Sequence, residues 1–446
     1  MFRALLTLCL ALSLHGQIVQ DSFAVDPGPL DFIHGEGAEQ AVLQSLAGDT
    51  LVGLRADGSP APRLALRWKA VPGGLQLELR GDARFSDGSV LRAEDVRWTY
   101  EQLQKDPKAS PTRKALLADV EVSLVEGGLR LRSAKPVGRL LLELARVPIG
   151  KKEHPEIGSG PFALERRGGE WDLLRRAHFL HPKLEGFHLR LLPDSNGILQ
   201  ALQKGWLSLG VPPPRAGLSP PAGYTRIIQP LNAQLIVWSR TDPGALQALE
   251  RWRRDAFPPR LMGDGIRPSR GLWPETLGFP AMNIQGAAQP CPKDLELLYA
   301  ASDAPVERLL LALAERARQD GVALHLKPIE AGLLIDRLTK GDFQLICAFN
   351  TFDPGPWSVL GYMEPGGELN FTGWQDAGLA ALLPKLESPQ SSAWKAAQSL
   401  WAQHPAALPL LDYRSVLWVD RRLHLTPSAM GIYATTPGPA GWTWTP

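Results

Sequence analysis

Leu79–Leu103 reads LRGDARFSDGSVLRAEDVRWTYEQL, and this stretch joins the end of a strand, a tight turn and the start of a helix. Asp87-Gly88 is a turn pair, because glycine reaches backbone conformations closed to other residues. Glu94 and Asp95 suit the positive end of a helix dipole, and Val96, Tyr100 and Leu103 recur at helical spacing as an apolar stripe. Upstream, Leu66, Trp68 and Ala70 alternate, Pro72-Gly73-Gly74 turns the chain, and Leu75, Leu77 and Leu79 alternate again, so Leu64–Asp87 reads as a β-hairpin. Downstream, Val120–Val125 with Leu129–Arg132 and Phe162–Arg167 with Trp171–Arg176 repeat that pattern around Gly127-Gly128 and Gly168-Gly169. Phe187, Leu189 and Leu191 make another strand, followed by a helix at Ser195–Lys204 that Gly205 stops. The Pro-rich stretch Val211–Gly223 reads as a surface loop.

The second half changes character. Leu295–Ala300, Val322–Leu326 and Phe343–Phe349 read as strands, alternating with helices at Asp303–Gly321 and Ala331–Lys340. Such a β-α-β-α-β order builds a right-handed, mainly parallel sheet covered by helices, with ligands beyond the carboxyl ends of the strands. Two loops therefore point at a site, Ala301–Asp303 and Asn350–Trp357. Arg251, Arg253 and Arg254 form a basic cluster, read as a solvated helix face.

The chain has 446 residues, 44% hydrophobic and 21% charged, with 48 Lys+Arg against 46 Asp+Glu and a formal charge of +2. That length suits two or three packed lobes, and that balance excludes a nucleic-acid binder working through a basic field. Met1-Phe2-Arg3 followed by the apolar run Ala4–Leu14 reads as a cleaved signal peptide over residues 1–16, too short to span a bilayer. Leu8 before Cys9 argues against lipidation. The expected location is therefore periplasmic or otherwise extracytoplasmic.

Chemistry-bearing motifs are missing. There is no Gly-x-Ser-x-Gly elbow, no His-Glu-x-x-His and no phosphate-binding Gly-x-x-x-x-Gly-Lys-[Ser/Thr] loop. Gly35-Glu36-Gly37 lacks the third glycine of a dinucleotide loop, since Gln40 stands there. No catalytic residue, metal site or cofactor is assigned, and the chain is read as a non-enzyme. Cys291 and Cys347 are the only cysteines after residue 16. Cys347 reads as a buried small hydrophobe inside an apolar strand, while export also permits a disulfide between them; both readings stand.

The compound pattern Leu79-Arg80, Phe85, Asp87-Gly88 and Ala93-Glu94-Asp95-Val96 closely resembles the signature of extracytoplasmic solute-binding proteins of the peptide/oligopeptide/nickel class, which feed ABC importers. Echoes follow in family order: Leu30-Asp31, Pro62-Arg63-Leu64-Ala65, Gly158-Ser159-Gly160-Pro161-Phe162, Asp353-Pro354 and Asn370 with Gly373-Trp374. The resemblance implies an α/β fold, a two-lobed periplasmic-binding-protein clamshell with hinge-linked lobes of mixed and parallel sheets flanked by helices. Lobe I would span 17–230 with a hairpin-rich subdomain, lobe II 231–407, and 408–446 would return to lobe I; Leu231–Trp238 and Leu408–Val419 would cross the hinge. Three departures stand out. Arg92 replaces a threonine N-cap, His178–Leu184 has lost the family's Asn-Pro-x-Tyr, and Asn350 stands where peptide-binding members carry an aspartate for the peptide's α-ammonium.

The expected function follows. An exported protein captures a small solute, peptide-like or other, between two lobes and delivers it to an ABC transporter permease in the membrane. It acts as a monomer and without nucleic acid. Asn350, Asp353 and Trp357 are the lobe II candidates for lining the pocket, Trp374 an aromatic wall, and His34 and Glu36 the lobe I candidates. The alternatives are a degenerate clamshell serving as an extracytoplasmic sensor or interaction module, and a secreted hydrolase.

Overall fold

The computed structural model describes residues 18–445, apart from 57, 168, 177–183, 214–216, 230–232, 242, 257–264, 270, 273–283, 285–289, 302–303, 352–358, 365–366, 368, 387–391, 428–431 and 434–437. The proposed signal peptide, Asp303, Asp353 and Trp357 lie outside the described residues, as do 178–183. The chain divides into two compact units. The first comprises 1–213, 219–227 and 416–446; the second comprises 214–218 and 228–415.

In the first unit the motif stretch forms as read. The Ala65–Val71 and Gly74–Leu79 strands pair antiparallel, and Gly74–Leu79 continues into Gly128–Arg132 and Glu121–Val125 as one four-stranded sheet. Gly74 and Gly128 sit where a Cβ would lie 2.0 Å from a carbonyl of the neighbouring strand. The helix is Ala93–Lys105, with Val96, Tyr100 and Leu103 fully buried. Arg92 has no hydroxyl to offer, but the Asp95 carboxylate accepts from the Arg92 N–H at 2.8 Å, so half of a capping box compensates for the missing threonine. A second four-stranded sheet joins Ile18–Phe23, parallel, to Gly186–Leu191, which pairs antiparallel with Glu170–Arg175 and then Phe162–Arg167. Its core face holds Val19, Phe23, Trp171, Leu173, Phe187 and Leu189 against the Ala38–Ala47 helix.

The second unit is built on a six-stranded sheet in the order Ile266–Pro268, Ala407–Tyr413, Ala233–Ser239, Leu345–Thr351, Asp294–Ala300, Ala323–Ile329. Only its last three strands run parallel; the rest pair antiparallel, so the sheet is mixed where a mainly parallel one was expected. The helices Ala304–Gln319 and Ala331–Lys340 connect those parallel strands, the second capped by Glu330 and ended by Gly341 in the left-handed region. Cys347 is buried in this core and Cys291 packs against it. The Ala407–Tyr413 strand is part of this sheet, and the chain returns to the first unit at Val416. Arg253 corrects the solvated-face reading. It is 8% exposed, paired with Glu250 at 2.6 Å, and donates to the Pro409 carbonyl at 3.1 Å, because helix Pro243–Ala256 turns that side chain into the sheet.

Candidate functional site

Each unit presents one polar constellation that includes residues singled out from the sequence. In the first unit, the Asp31–Gly37 loop precedes the Ala38–Ala47 helix and wraps around two buried amides of that helix. Gln44 donates to the Asp31 carbonyl at 2.6 Å, and Gln40 donates to the Pro27 carbonyl at 2.6 Å. Gly35 is required there, since a Cβ would sit 2.5 Å from the Asp31 carbonyl oxygen. His34 then bridges two carboxylates: Nδ1 lies 2.9 Å from Asp31 and Nε2 lies 3.0 Å from Asp106. Hydrogen bonds to Asp106 and Asp31 raise the His34 pKa above its ordinary value. Glu36 accepts from the Ser110 hydroxyl and from the Thr112 N–H at the start of the Pro111–Leu116 helix. The buried Arg113 guanidinium donates to the carbonyls of Phe32 and Gly35. His34 and Glu36 thus hold the loop to the Asp106–Arg113 segment, with the His34 side chain still 41% exposed.

In the second unit, Asn350 lies within the Leu345–Thr351 strand, which runs two residues past the apolar run that suggested it. Its register partner is Gln234, whose partner on the other side is Asp412, opposite Arg267. Four polar side chains therefore form a row across four adjacent strands. Gln234 donates to Asp412 at 2.8 Å, to Ser269 at 3.0 Å and to the Gly271 carbonyl at 2.8 Å, and Arg267 donates to the other Asp412 oxygen at 3.2 Å. Burial raises the Asp412 pKa against the lowering effect of Gln234 and Arg267. At the near end, the Asn350 Nδ2 donor and the Gln234 Oε1 acceptor are both buried and have no hydrogen-bond partner among the described residues. Unpaired buried polar atoms are costly, which marks this end of the row as the place where the polar network is incomplete. Gln234, Asp412 and Arg267 were not singled out from the sequence. Their signal was there: each interrupts or ends an apolar strand.

Trp374 is 8% exposed, its ring 5.1 Å from that of Trp401 and its indole N–H donating to the His404 carbonyl at 2.6 Å. Asn370 brackets the same turn, donating to the Trp374 carbonyl and accepting the Trp374 N–H, both at 2.8 Å. Among the described residues there is no cluster of His, Cys, Asp and Glu fit to hold a metal, and no helix long and apolar enough to cross a membrane.

The fold is that of the periplasmic solute-binding proteins. Residues 59–223 match the family model described as Bacterial extracellular solute-binding proteins, family 5 Middle, which bears out the resemblance carried by Leu79–Leu103. Solved structures are similar over nearly the whole chain. The murein tripeptide binding protein MppA of Escherichia coli matches with a TM-score of 0.72 and 16% identity, over 94% of this chain and 98% of that one. The oligopeptide-binding protein AppA of Bacillus subtilis, in complex with a nonapeptide, gives 0.73 and 14%, over 96% and 99%. NikA of Brucella suis, in complex with Fe(III)-EDTA, gives 0.74 and 19%, over 96% and 99%. A comparison with curated proteins finds no match.

Proposed function

We propose that this protein is the solute-binding component of an ABC import system, exported by its N-terminal segment, binding a small peptide-like solute and presenting it to a membrane permease without turning it over. The family match over 59–223, inside a fold shared across nearly the whole chain with proteins that bind peptides and a metal chelate, is the observation that carries this reading. Within it, Asn350 and Gln234 offer one donor and one acceptor, the complement of a peptide amide group, and Asn350 offers no negative charge for a terminal ammonium. Asp353 and Trp357 follow Asn350 closely in sequence and are retained as candidates, and His34 and Glu36 are the candidates of the first unit.

The experiment pairs native mass spectrometry of protein purified without denaturation, which reads any retained cargo, with calorimetry on one peptide in free and N-acetylated form. The natural protein should bind both forms alike. Asn350→Asp should tighten the free-amine peptide several-fold to about thirtyfold, since a hydrogen bond to a charged group contributes ~1.5–3 kcal/mol where a neutral one contributes about 1. Equal affinity in all four combinations would remove Asn350 from the binding site.

A further inference from the structure

The first unit contains a cavity of about 590 Å³ that shares no residue with the His34–Glu36 loop. It lies over the polar face of the sheet formed by Ile18–Phe23, Gly186–Leu191 and Glu170–Arg175, and the Gly205–Ser208 turn together with Asp420, Arg422 and Trp444 lines its other walls. Its volume falls in the range of sites for small organic molecules.

Its charged groups differ in the partners they have. Asp420 is engaged by Arg422 in a two-pronged pair, at 3.0 and 2.7 Å. Asp172 is engaged by the His188 Nδ1 at 2.7 Å, and the other nitrogen of that ring lies 3.1 Å from Glu170. Asp420 thus has a cation of its own, while Asp172 shares the His188 ring with Glu170. Arg190 has no carboxylate partner among the described residues: its guanidinium donates to the neutral Gln20 Oε1 at 2.9 Å. A carboxylate is the group that pairs best with a guanidinium lacking an adjacent anion. Beside it, the Ser208 hydroxyl is nearly buried and accepts from the Gln20 N–H at 2.9 Å, which leaves its own proton to donate.

The walls fix the shape. Trp206 and Trp444 both line the cavity, and Trp206 is 55% exposed, an unusual position for so large an apolar ring. The Lys204 ammonium sits 4.5 Å from the Trp206 ring centre and the Arg422 guanidinium 5.2 Å from that of Trp444. Aromatic rings with cations stacked on them favour a flat, electron-rich guest.

We propose that this cavity is a second binding site, for a planar aromatic carboxylate, with Arg190 and Ser208 holding the carboxylate and Trp206 and Trp444 flanking the ring. The inference goes beyond solute capture for import, and its variants are chosen to report on this cavity alone. The test titrates full-length protein with indole-3-acetate, with its uncharged analogue indole-3-acetamide, and with acetate, by calorimetry. Indole-3-acetate should bind at least tenfold more tightly than either of the others. Arg190→Gln should bring the acid down to the level of the amide and leave the amide unchanged, with the melting temperature as the check on folding; Arg190→Lys, which keeps the charge but not the fork, should retain the preference at reduced affinity. Trp206→Ala should weaken acid and amide alike. The proposal is overturned by equal binding of acid and amide, by acetate binding as well as the ring compound, by a preference for the acid that survives Arg190→Gln, or by no binding of the acid at millimolar concentration.

Discussion

Asp21 shows how a single side chain sets a pH dependence. It sits in the Ile18–Phe23 strand with the parity of Val19 and Phe23, so the pleat turns it into the core, where it is 8% exposed. It accepts the Tyr433 hydroxyl and the Ser22 N–H at 2.8 Å, yet desolvation dominates and raises its pKa to about 6. A carboxyl raised in the folded state favours folding while protonated. Its contribution is complete below the unfolded pKa near 4 and is lost as pH rises through about 6, a penalty of up to ~3 kcal/mol at neutral pH. Asp21→Asn should therefore stabilise the protein at pH 7.5 and leave it nearly unchanged at pH 4, where both side chains are neutral. Urea midpoints of the two proteins at both pH values check this; a variant less stable at pH 7.5 would mean that the charged carboxylate is well solvated. His34 acts with the same sign at higher pH, because its raised pKa makes stability fall as pH climbs through that value. The parity of Asp21 was readable in IVQDSF, but nothing local reveals that Tyr433, more than 400 positions away, comes to meet it.

The signature segments are joints between elements. Arg176 reaches from the end of the Glu170–Arg175 strand and donates to the carbonyls of Gly160, Arg84 and Phe85, bolting the Phe85–Gly88 turn to Gly158–Gly160. Ser86 N–H adds a bond to the Gly158 carbonyl at 2.8 Å. Gly160 in turn donates to the Ala47 carbonyl at the end of the Ala38–Ala47 helix, and a Cβ on it would lie 2.5 Å from the Ala47 carbonyl carbon and 2.6 Å from the Gly48 nitrogen. Gly160→Ala should then cost about 1–3 kcal/mol through overpacking against rigid backbone, read as a lower urea midpoint at unchanged slope, whereas an unchanged midpoint would mean that the helix end yields freely. The hairpins and the helices of this unit were legible because turns and periodicity are local signals. The polar row of the second unit was not. Reading Phe343–Phe349 as the strand ended it where the apolar run ended, but pairing with Ala233–Ser239 carries it on to Asn350 and Thr351, and register is set by the partner strand. Gln234 and Asp412 likewise gain their meaning only when Ala233–Ser239 and Ala407–Tyr413 lie side by side.

At the scale of the whole molecule the two units differ in how the chain builds them. The first needs both ends of the sequence. Its three-stranded sheet has Val416–Asp420 at the centre, between Leu209–Gly210 and Tyr224–Ile228, and its core takes Leu417, Val419, Leu423, Ile432 and Trp442 from the C-terminal segment. The second unit is almost continuous, since its sheet, its helices and its core all come from residues after Ile228. Its parallel half is local, whereas Ala407–Tyr413 must return from the far end to pair with Ala233–Ser239 and Ile266–Pro268. We therefore expect a fragment of residues 228–415 to fold by itself with a cooperative thermal transition, because every strand of its sheet and the helices against it are present. A fragment of residues 18–415 should keep that transition but lose the one belonging to the first unit, whose central strand and part of whose core have been removed. Circular dichroism melts of the two fragments beside the full chain decide the matter. A 228–415 fragment that melts without cooperativity would mean that the second unit borrows its stability from the rest of the chain, and that its sheet, though complete, is not sufficient.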